Sequence, residues 1–177
     1  MTTKSARRTK IVDGIMTALK SDVIYKTIDY KKKKESSIKQ YMHQPFIAAL
    51  NKLHRELTPG LKDATYEKKA KHSLLWEGDV STTINNFLFL GVQHRPDFVV
   101  QFDELRIAVE VKRGESGAAV REGLGQSIVY STEFDFVCYV FVDVSKDKKV
   151  KRSIGGDAET SIVHSLWDRY NIRFDVV

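Results

Sequence analysis

The chain has 177 residues, of which 42% are hydrophobic and 29% are charged. These values are typical of a soluble globular protein that is long enough to bury a core without disulfides. Its one cysteine excludes an internal disulfide and any cysteine-rich zinc or iron–sulfur site. No apolar stretch approaches the roughly 20 residues of a membrane helix, and residues 1–10 lack the apolar core of a signal peptide. We therefore expect a cytoplasmic protein that is not secreted and has no membrane partner.

The net charge of +6 is concentrated in residues 1–35, which carry ten lysine and arginine residues against four acidic residues. Lysines suit a polyanionic partner because their contacts with phosphates release condensed counterions. The run Lys31, Lys32, Lys33 and Lys34 is therefore predicted to bind nucleic acid, although a solvated lysine-rich loop is an alternative. We interpret residues 1–35 as a basic N-terminal extension of a domain that spans residues 36–177.

The spacing of hydrophobic residues predicts the secondary structure in chain order. Ile11, Ile15 and Leu19 recur at helical spacing and predict a helix over residues 9–20. Residues 61–72 are rich in lysine and show no clear pattern. The other predicted elements are a helix over 36–57, strands over 87–90, 97–102 and 105–112, a helix over 118–131, a buried strand over 136–144, a helix over 158–170 and a strand over 172–177. This order predicts an α/β domain with a central mixed sheet flanked by helices.

A histidine lies on the apolar face of the predicted helix over residues 36–57. His43, Phe46, Leu50 and Leu53 follow one another at intervals of three and four residues, which directs this face at a core. A histidine in such a place is either a core residue with satisfied hydrogen bonds or a metal ligand. The sequence leaves both possibilities open.

The candidate chemistry lies on the predicted hairpin. Asp97 begins one strand, and Glu110 and Lys112 lie two residues apart on the other, so they share a face. The hairpin could bring Asp97 beside Glu110, and two carboxylates suffice for magnesium, which prefers oxygen ligands and retains waters. Lys112 could position a water or stabilise the transition state of phosphodiester hydrolysis. The alternative is a charged pair on the solvent face of an edge strand, but Val109 and Val111 indicate a buried strand.

This arrangement resembles the PD-(D/E)XK nuclease superfamily. The resemblance rests on Pro96-Asp97 and, after a short hairpin, Glu110-Val111-Lys112, with a helix and a buried strand following. It implies a restriction-endonuclease-like core and hydrolysis of DNA that depends on Mg²⁺ or Mn²⁺.

Two further features resemble the RecB-type members of this superfamily. Gln126 and Tyr130 match their QxxxY pattern, and residues four apart share a helix face. His43 matches a histidine that these members carry in an early helix, where other members carry an acidic residue, for which Glu77 is a possible substitute. The resemblance implies catalytic roles for Asp97, Glu110, Lys112, Gln126 and Tyr130, and a metal site that involves Asp97, Glu110, Val111 and His43.

Three functions are compatible with these patterns. The first is a DNA nuclease, either an endonuclease or a RecB-like exonuclease, and a homodimer would let two sites cut two strands. The second is a catalytically silent nucleic-acid-binding module with the same fold. The third is a structural protein whose basic segment binds another protein, which leaves the joint presence of Asp97, Glu110 and Lys112 unexplained.

Overall fold

The computed structural model describes residues 3–26, 29–79 and 83–177, which form seven helices and seven strands. The helices are α1 (Lys4–Leu19), α2 (Asp22–Lys26), α3 (Glu35–Leu57), α4 (Asp63–Ser73), α5 (Gly117–Tyr130), α6 (Lys149–Ser153) and α7 (Asp157–Tyr170). The strands are β1 (Leu74–Trp76), β2 (Phe87–Phe89), β3 (Val92–His94), β4 (Phe98–Phe102), β5 (Leu105–Gly114), β6 (Phe136–Asp143) and β7 (Ile172–Val176). None of the helices in this part of the chain combines the length and the apolar composition that crossing a bilayer requires.

Five strands form one mixed sheet in the order β1-β4-β5-β6-β7, and β2 and β3 form a separate hairpin. The pairs β1–β4 and β4–β5 are antiparallel, whereas β5–β6 and β6–β7 are parallel. One apolar cluster joins the sheet to α1 and α3, and a second joins its other face to α5 and α7. The predicted α/β class with a central mixed sheet flanked by helices is therefore confirmed.

The predicted hairpin of β4 and β5 is also confirmed. Its register runs from Phe98 opposite Val109 to Phe102 opposite Leu105. Asp103 makes the turn with φ of 52°, a left-handed conformation that aspartate tolerates better than most residues. Because the strands are antiparallel, the beginning of β4 lies beside the second half of β5.

Helix α1 belongs to the core although it lies within the basic segment 1–35. Its apolar side packs against α3 and the sheet. Its buried residues are Ile11, Val12, Ile15, Met16 and Leu19. The periodicity of the sequence predicts this helix, but the partners that cover it lie far along the chain. The exposed lysines of segment 1–35 include the predicted run at residues 31–34, which follows α2 and directly precedes α3.

Helix α5 approaches the sheet closely because Gly123 faces Tyr139 of β6. A Cβ atom at residue 123 would lie 2.4 Å from the Tyr139 hydroxyl oxygen, so a larger residue would force the helix away. That hydroxyl donates a hydrogen bond to the carbonyl of Val120 (3.2 Å). The glycine at residue 123 thus allows the contact that holds α5 beside β5 and β6.

Candidate active site

Asp97, Glu110 and Lys112 meet beside the second half of β5, toward the carboxyl ends of the parallel strands β5 and β6. Asp97 directly precedes β4, and the other two residues lie in the second half of β5. Asp97 is 4% exposed and Glu110 is 2% exposed, so both carboxylates are buried. Burying two neighbouring carboxylates costs folding free energy unless a cation or a proton compensates their charge.

Asp97 is held by two donors. Its Oδ2 accepts a hydrogen bond from the main-chain amide of Val111 (2.8 Å), and its Oδ1 accepts one from Nζ of Lys39 (2.5 Å). Burial raises the pKa of Asp97, and the positive charge of Lys39 opposes that rise. Val111, a predicted member of the metal site, therefore meets Asp97 through its peptide group, while its side chain lies in the core.

Glu110 has one paired and one unpaired oxygen. Its Oε1 lies 3.4 Å from Nζ of Lys112, whereas its buried Oε2 has no hydrogen-bond partner among the described residues. Burial raises the pKa of Glu110 to about 8, the nearby charge of Asp97 adds to the rise, and Lys112 opposes it. A buried acceptor without a donor is rare and indicates that a proton, a cation or a water completes the site.

Helix α5 presents one face to these groups. Near its middle, Oε1 of Glu122 lies 3.7 Å from Nζ of Lys112. Near its end, the pKa of Tyr130 is raised by burial and then by the charges of Glu110 and Asp97, although its hydroxyl donates to the carbonyl of Arg95 (3.0 Å). Gln126 is one helical turn from each, and its buried Oε1 also has no partner among the described residues. Tyr130 therefore borders the site, and Gln126 shares its face of α5.

Helix α3 contributes two residues, Glu35 and Lys39, that were not predicted from the sequence. Nζ of Lys39 bridges Asp97 and Glu35, at 2.8 Å from the Glu35 carboxylate. The other oxygen of Glu35 accepts a hydrogen bond from the main-chain amide of Arg113 (2.9 Å). Glu35 was not predicted as part of the site because the predicted helix begins one residue later. Lys39 precedes His43 by one turn, so the helical spacing that singled out His43 could have found Lys39 as well.

The structure does not bring His43 into contact with the carboxylate pair. Its ring is half-buried and stacks on Trp76, with 4.8 Å between ring centroids. Burial lowers the pKa of His43, and the charge that opposes this change is that of Asp79. The proposed substitute acid, Glu77, pairs through its carboxylate with Arg95 at 2.5 Å, and its main-chain amide donates to the carbonyl of Asp97 (3.1 Å).

The predicted lysine run lies at the same edge of the sheet. Lys31, Lys32, Lys33 and Lys34 are exposed and directly precede α3. The guanidinium group of Arg113, the neighbour of Lys112, donates to the carbonyl of Lys31 (2.6 Å). This hydrogen bond therefore holds the beginning of the run beside the end of β5.

The groups present can accommodate a hard divalent cation. Asp97 and Glu110 supply carboxylate oxygens, and the unpaired oxygens of Glu110 and Gln126 could coordinate the cation or accept hydrogen bonds from its waters. Within residues 3–26, 29–79 and 83–177, no group of three or more His, Cys, Asp or Glu residues has the arrangement of a metal site. Such a cation would therefore keep several waters, as magnesium does in proteins.

Comparison of the chain with protein-family models, curated proteins and solved structures finds no match. The residues of the site and their geometry are therefore the basis for assigning a function.

Proposed function

We propose that this protein is a metal-dependent nuclease that hydrolyses DNA phosphodiester bonds and has a restriction-endonuclease-like core of the PD-(D/E)XK type. One observation supports the proposal above the others. Asp97, Glu110 and Lys112 converge beside the second half of β5, toward the carboxyl ends of β5 and β6, and an oxygen of Glu110 is buried without a partner among the described residues. Ligand sites of open α/β sheets lie at such edges.

The residues of the site have distinct proposed roles. Asp97 and Glu110 would hold Mg²⁺ or Mn²⁺, which when bound supplies Lewis acidity toward the phosphate and lowers the pKa of a bound water. The ammonium group of Lys112 would stabilise the charge that develops on the phosphate oxygens. Gln126, with both donors and an acceptor in its amide, would orient a water or a phosphate oxygen. Tyr130 would support Glu110 from α5.

Cleavage of a supercoiled plasmid with Mg²⁺ or Mn²⁺, with a chelator as control, tests this function. Asp97→Asn and Glu110→Gln should abolish nicking and spare DNA binding, since both remove charges that would hold the cation. Lys112→Ala should lower turnover by about 10²-fold, the loss typical of a transition-state donor. Glu104→Gln is the matched control, because this exposed carboxylate lies at the far end of β5. If all three site variants cleave the plasmid as fast as the wild-type protein, the assignment is refuted.

One contact favours a second candidate, a nucleic-acid-binding module that does not cleave. Nζ of Lys39 lies 2.5 Å from Oδ1 of Asp97, on an oxygen that a metal ion would use. If this ammonium group replaces the metal permanently, the protein would bind DNA in a salt-dependent manner and cut none with Mg²⁺ or Mn²⁺. Metal-dependent stabilisation of the fold then separates the two candidates, because only the nuclease should show it.

A further inference from the structure

A second group of lysines lies at the sheet edge that carries the candidate active site. The segment after β6 and the short helix α6 expose Lys146, Lys149 and Lys151. Within the described part of the chain, none of these three side chains forms an ion pair. The predicted run at residues 31–34 contains one paired lysine, Lys32, which lies 3.0 Å from Asp29. Both segments therefore keep most of their positive charge available to a partner.

Arg113 and Tyr30 join the two lysine segments. The Arg113 guanidinium group donates to the carbonyls of Lys31 (2.6 Å) and Tyr30 (3.4 Å). From the other segment, the ammonium group of Lys148 lies 4.7 Å from the centre of the Tyr30 ring, within the range of a cation–π interaction. The two segments are therefore adjacent, and Arg113 connects them to the strand that carries Lys112.

A buried aspartate holds the second segment in place. The carboxylate of Asp143, at the end of β6, accepts hydrogen bonds from the main-chain amides of Ser145 and Lys151, each at 2.9 Å. The side chain of Lys148 donates to the carbonyl of Asp143. The Ser145 hydroxyl oxygen accepts a bond from the amide of Lys149 (3.1 Å). This network fixes the main chain from which the three exposed lysines project.

We propose that residues 31–34 and 146–151 form a phosphate clamp, which holds the backbone of a nucleic acid beside the candidate active site. The choice of nucleic acid as the partner rests on the proposed nuclease function. The position rests on the contacts of Arg113, whose main chain follows Lys112 and bonds Glu35. Each lysine that meets a phosphate releases counterions, so the clamp supplies affinity without reading sequence.

Helix α4 provides a matched control for the clamp. It exposes Lys68, Lys69 and Lys71, which likewise form no ion pair among the described residues. This helix packs on the second half of α3, where Ser73 bonds His54 (2.8 Å), away from Glu35 at the beginning of α3. Replacing either set of three lysines by alanine lowers the net charge from +6 to +3, so the two variants differ only in where charge is lost.

The test measures binding of a short duplex DNA at several salt concentrations, in chelator so that no cleavage occurs. For Lys146→Ala/Lys149→Ala/Lys151→Ala, the slope of log affinity against log salt should shrink by about two to three, and affinity at low salt should fall about tenfold or more. For Lys68→Ala/Lys69→Ala/Lys71→Ala, the slope should change by less than about one. Equal effects of the two triple variants, or no binding by the wild type at low salt, would overturn the clamp.

Cleavage assays on the same variants separate the clamp from the nuclease function. The clamp variant should raise KM and keep kcat, because its lysines position the backbone and do not touch the reacting phosphate. A wild-type protein that binds through the clamp and cuts no DNA would refute the nuclease function and leave the clamp standing. A wild-type protein that cuts DNA while the clamp variant matches it in slope and KM would refute the clamp alone.

Discussion

The surroundings of Glu110 differ from those of an ordinary carboxylate. This residue is 2% exposed, one of its oxygens has no partner among the described residues, and its pKa is raised from 4.5 to about 8. An acid in this state favours a proton or a cation at its unpaired oxygen. Nuclease chemistry would use this same property, since a cation that binds there compensates the buried charge.

The pH dependence of stability should report this state directly. Since the folded-state pKa of Glu110 is raised, its contribution to stability is complete below about 4.5 and is lost as the pH rises through about 8. Asp97, whose pKa is also raised, acts in the same direction. In chelator, the melting temperature should therefore fall between about pH 5 and pH 9, and Glu110→Gln should flatten the fall. Glu104→Gln, at an exposed site, should show the same fall of the melting temperature as the wild-type protein. An unchanged pH dependence in Glu110→Gln would show that this carboxylate is not protonated in the folded protein.

Lys39 should be a structural cation of the metal-free site. Its buried pairing with Asp97 predicts that Lys39→Met lowers stability by about 3 kcal/mol in chelator, since the buried Asp97 carboxylate loses its cationic partner and keeps only the amide of Val111. Saturating Mn²⁺ should then raise the melting temperature more in the variant than in the wild type, because the cation no longer meets the ammonium group. Lys20→Met, which breaks an ion pair with Asp175 at the surface, should cost less than about 1 kcal/mol and show no such gain. Equal Mn²⁺ effects in wild type and Lys39→Met would contradict this role.

At the scale of elements, local patterns predicted the parts of the site that lie on one hairpin and one helix. Alternation along β5 placed Glu110 and Lys112 on one face, and the turn at Asp103 brought Asp97 beside them. The contributions of α3 could not be derived in this way. The pairing of Lys39 with Asp97 spans 58 residues, and the packing angle of the helix decides which of its turns reaches the site.

Helix α4 is an element that local sequence patterns did not predict. It was not predicted because only three of its residues, Tyr66, Ala70 and Ser73, are buried, while the other eight, three of them lysines, are exposed. Its folding depends on contacts with neighbours, such as the bond from the Tyr66 hydroxyl to the carbonyl of Thr58 (2.9 Å). A helix with so narrow an apolar stripe gives a weak periodic signal.

The packing of α3 also decides the expected role of His43. Because the His43 ring stacks on Trp76, His43→Ala should lower the free energy of unfolding by about 1 kcal/mol, and with it the melting temperature. The affinity for Mn²⁺ should stay unchanged. A metal titration and a thermal melt of the same variant test this expectation. Weaker Mn²⁺ binding at an unchanged melting temperature would instead support the metal-ligand role that the resemblance to RecB-type nucleases implies.

At the scale of the whole molecule, the groups of the proposed nuclease site and the two lysine segments lie toward one end of the sheet. The carboxylate pair and Lys112 lie along the second half of β5, and the two lysine segments at residues 31–34 and 146–151 lie next to the ends of β5 and β6. The sequence predicted the first lysine segment from its charge, but the second became apparent only from the contacts of Arg113 and Tyr30. Charge patterns along a chain do not show which segments become neighbours, because that depends on the order of strands in the sheet.

The whole fold also determines how the basic segment 1–35 can be tested. Its removal would delete five buried side chains of α1, each worth about 1.5–3 kcal/mol, and their sum is comparable with the total stability of a domain. A chain that begins at residue 36 should therefore lose cooperative unfolding in urea. By contrast, replacing Lys31–Lys34 with alanine should keep the urea midpoint and reduce the salt dependence of DNA binding, since these side chains are exposed. If the shortened chain unfolds cooperatively at the wild-type midpoint, residues 36–177 form an independent domain and α1 contributes nothing essential to its core.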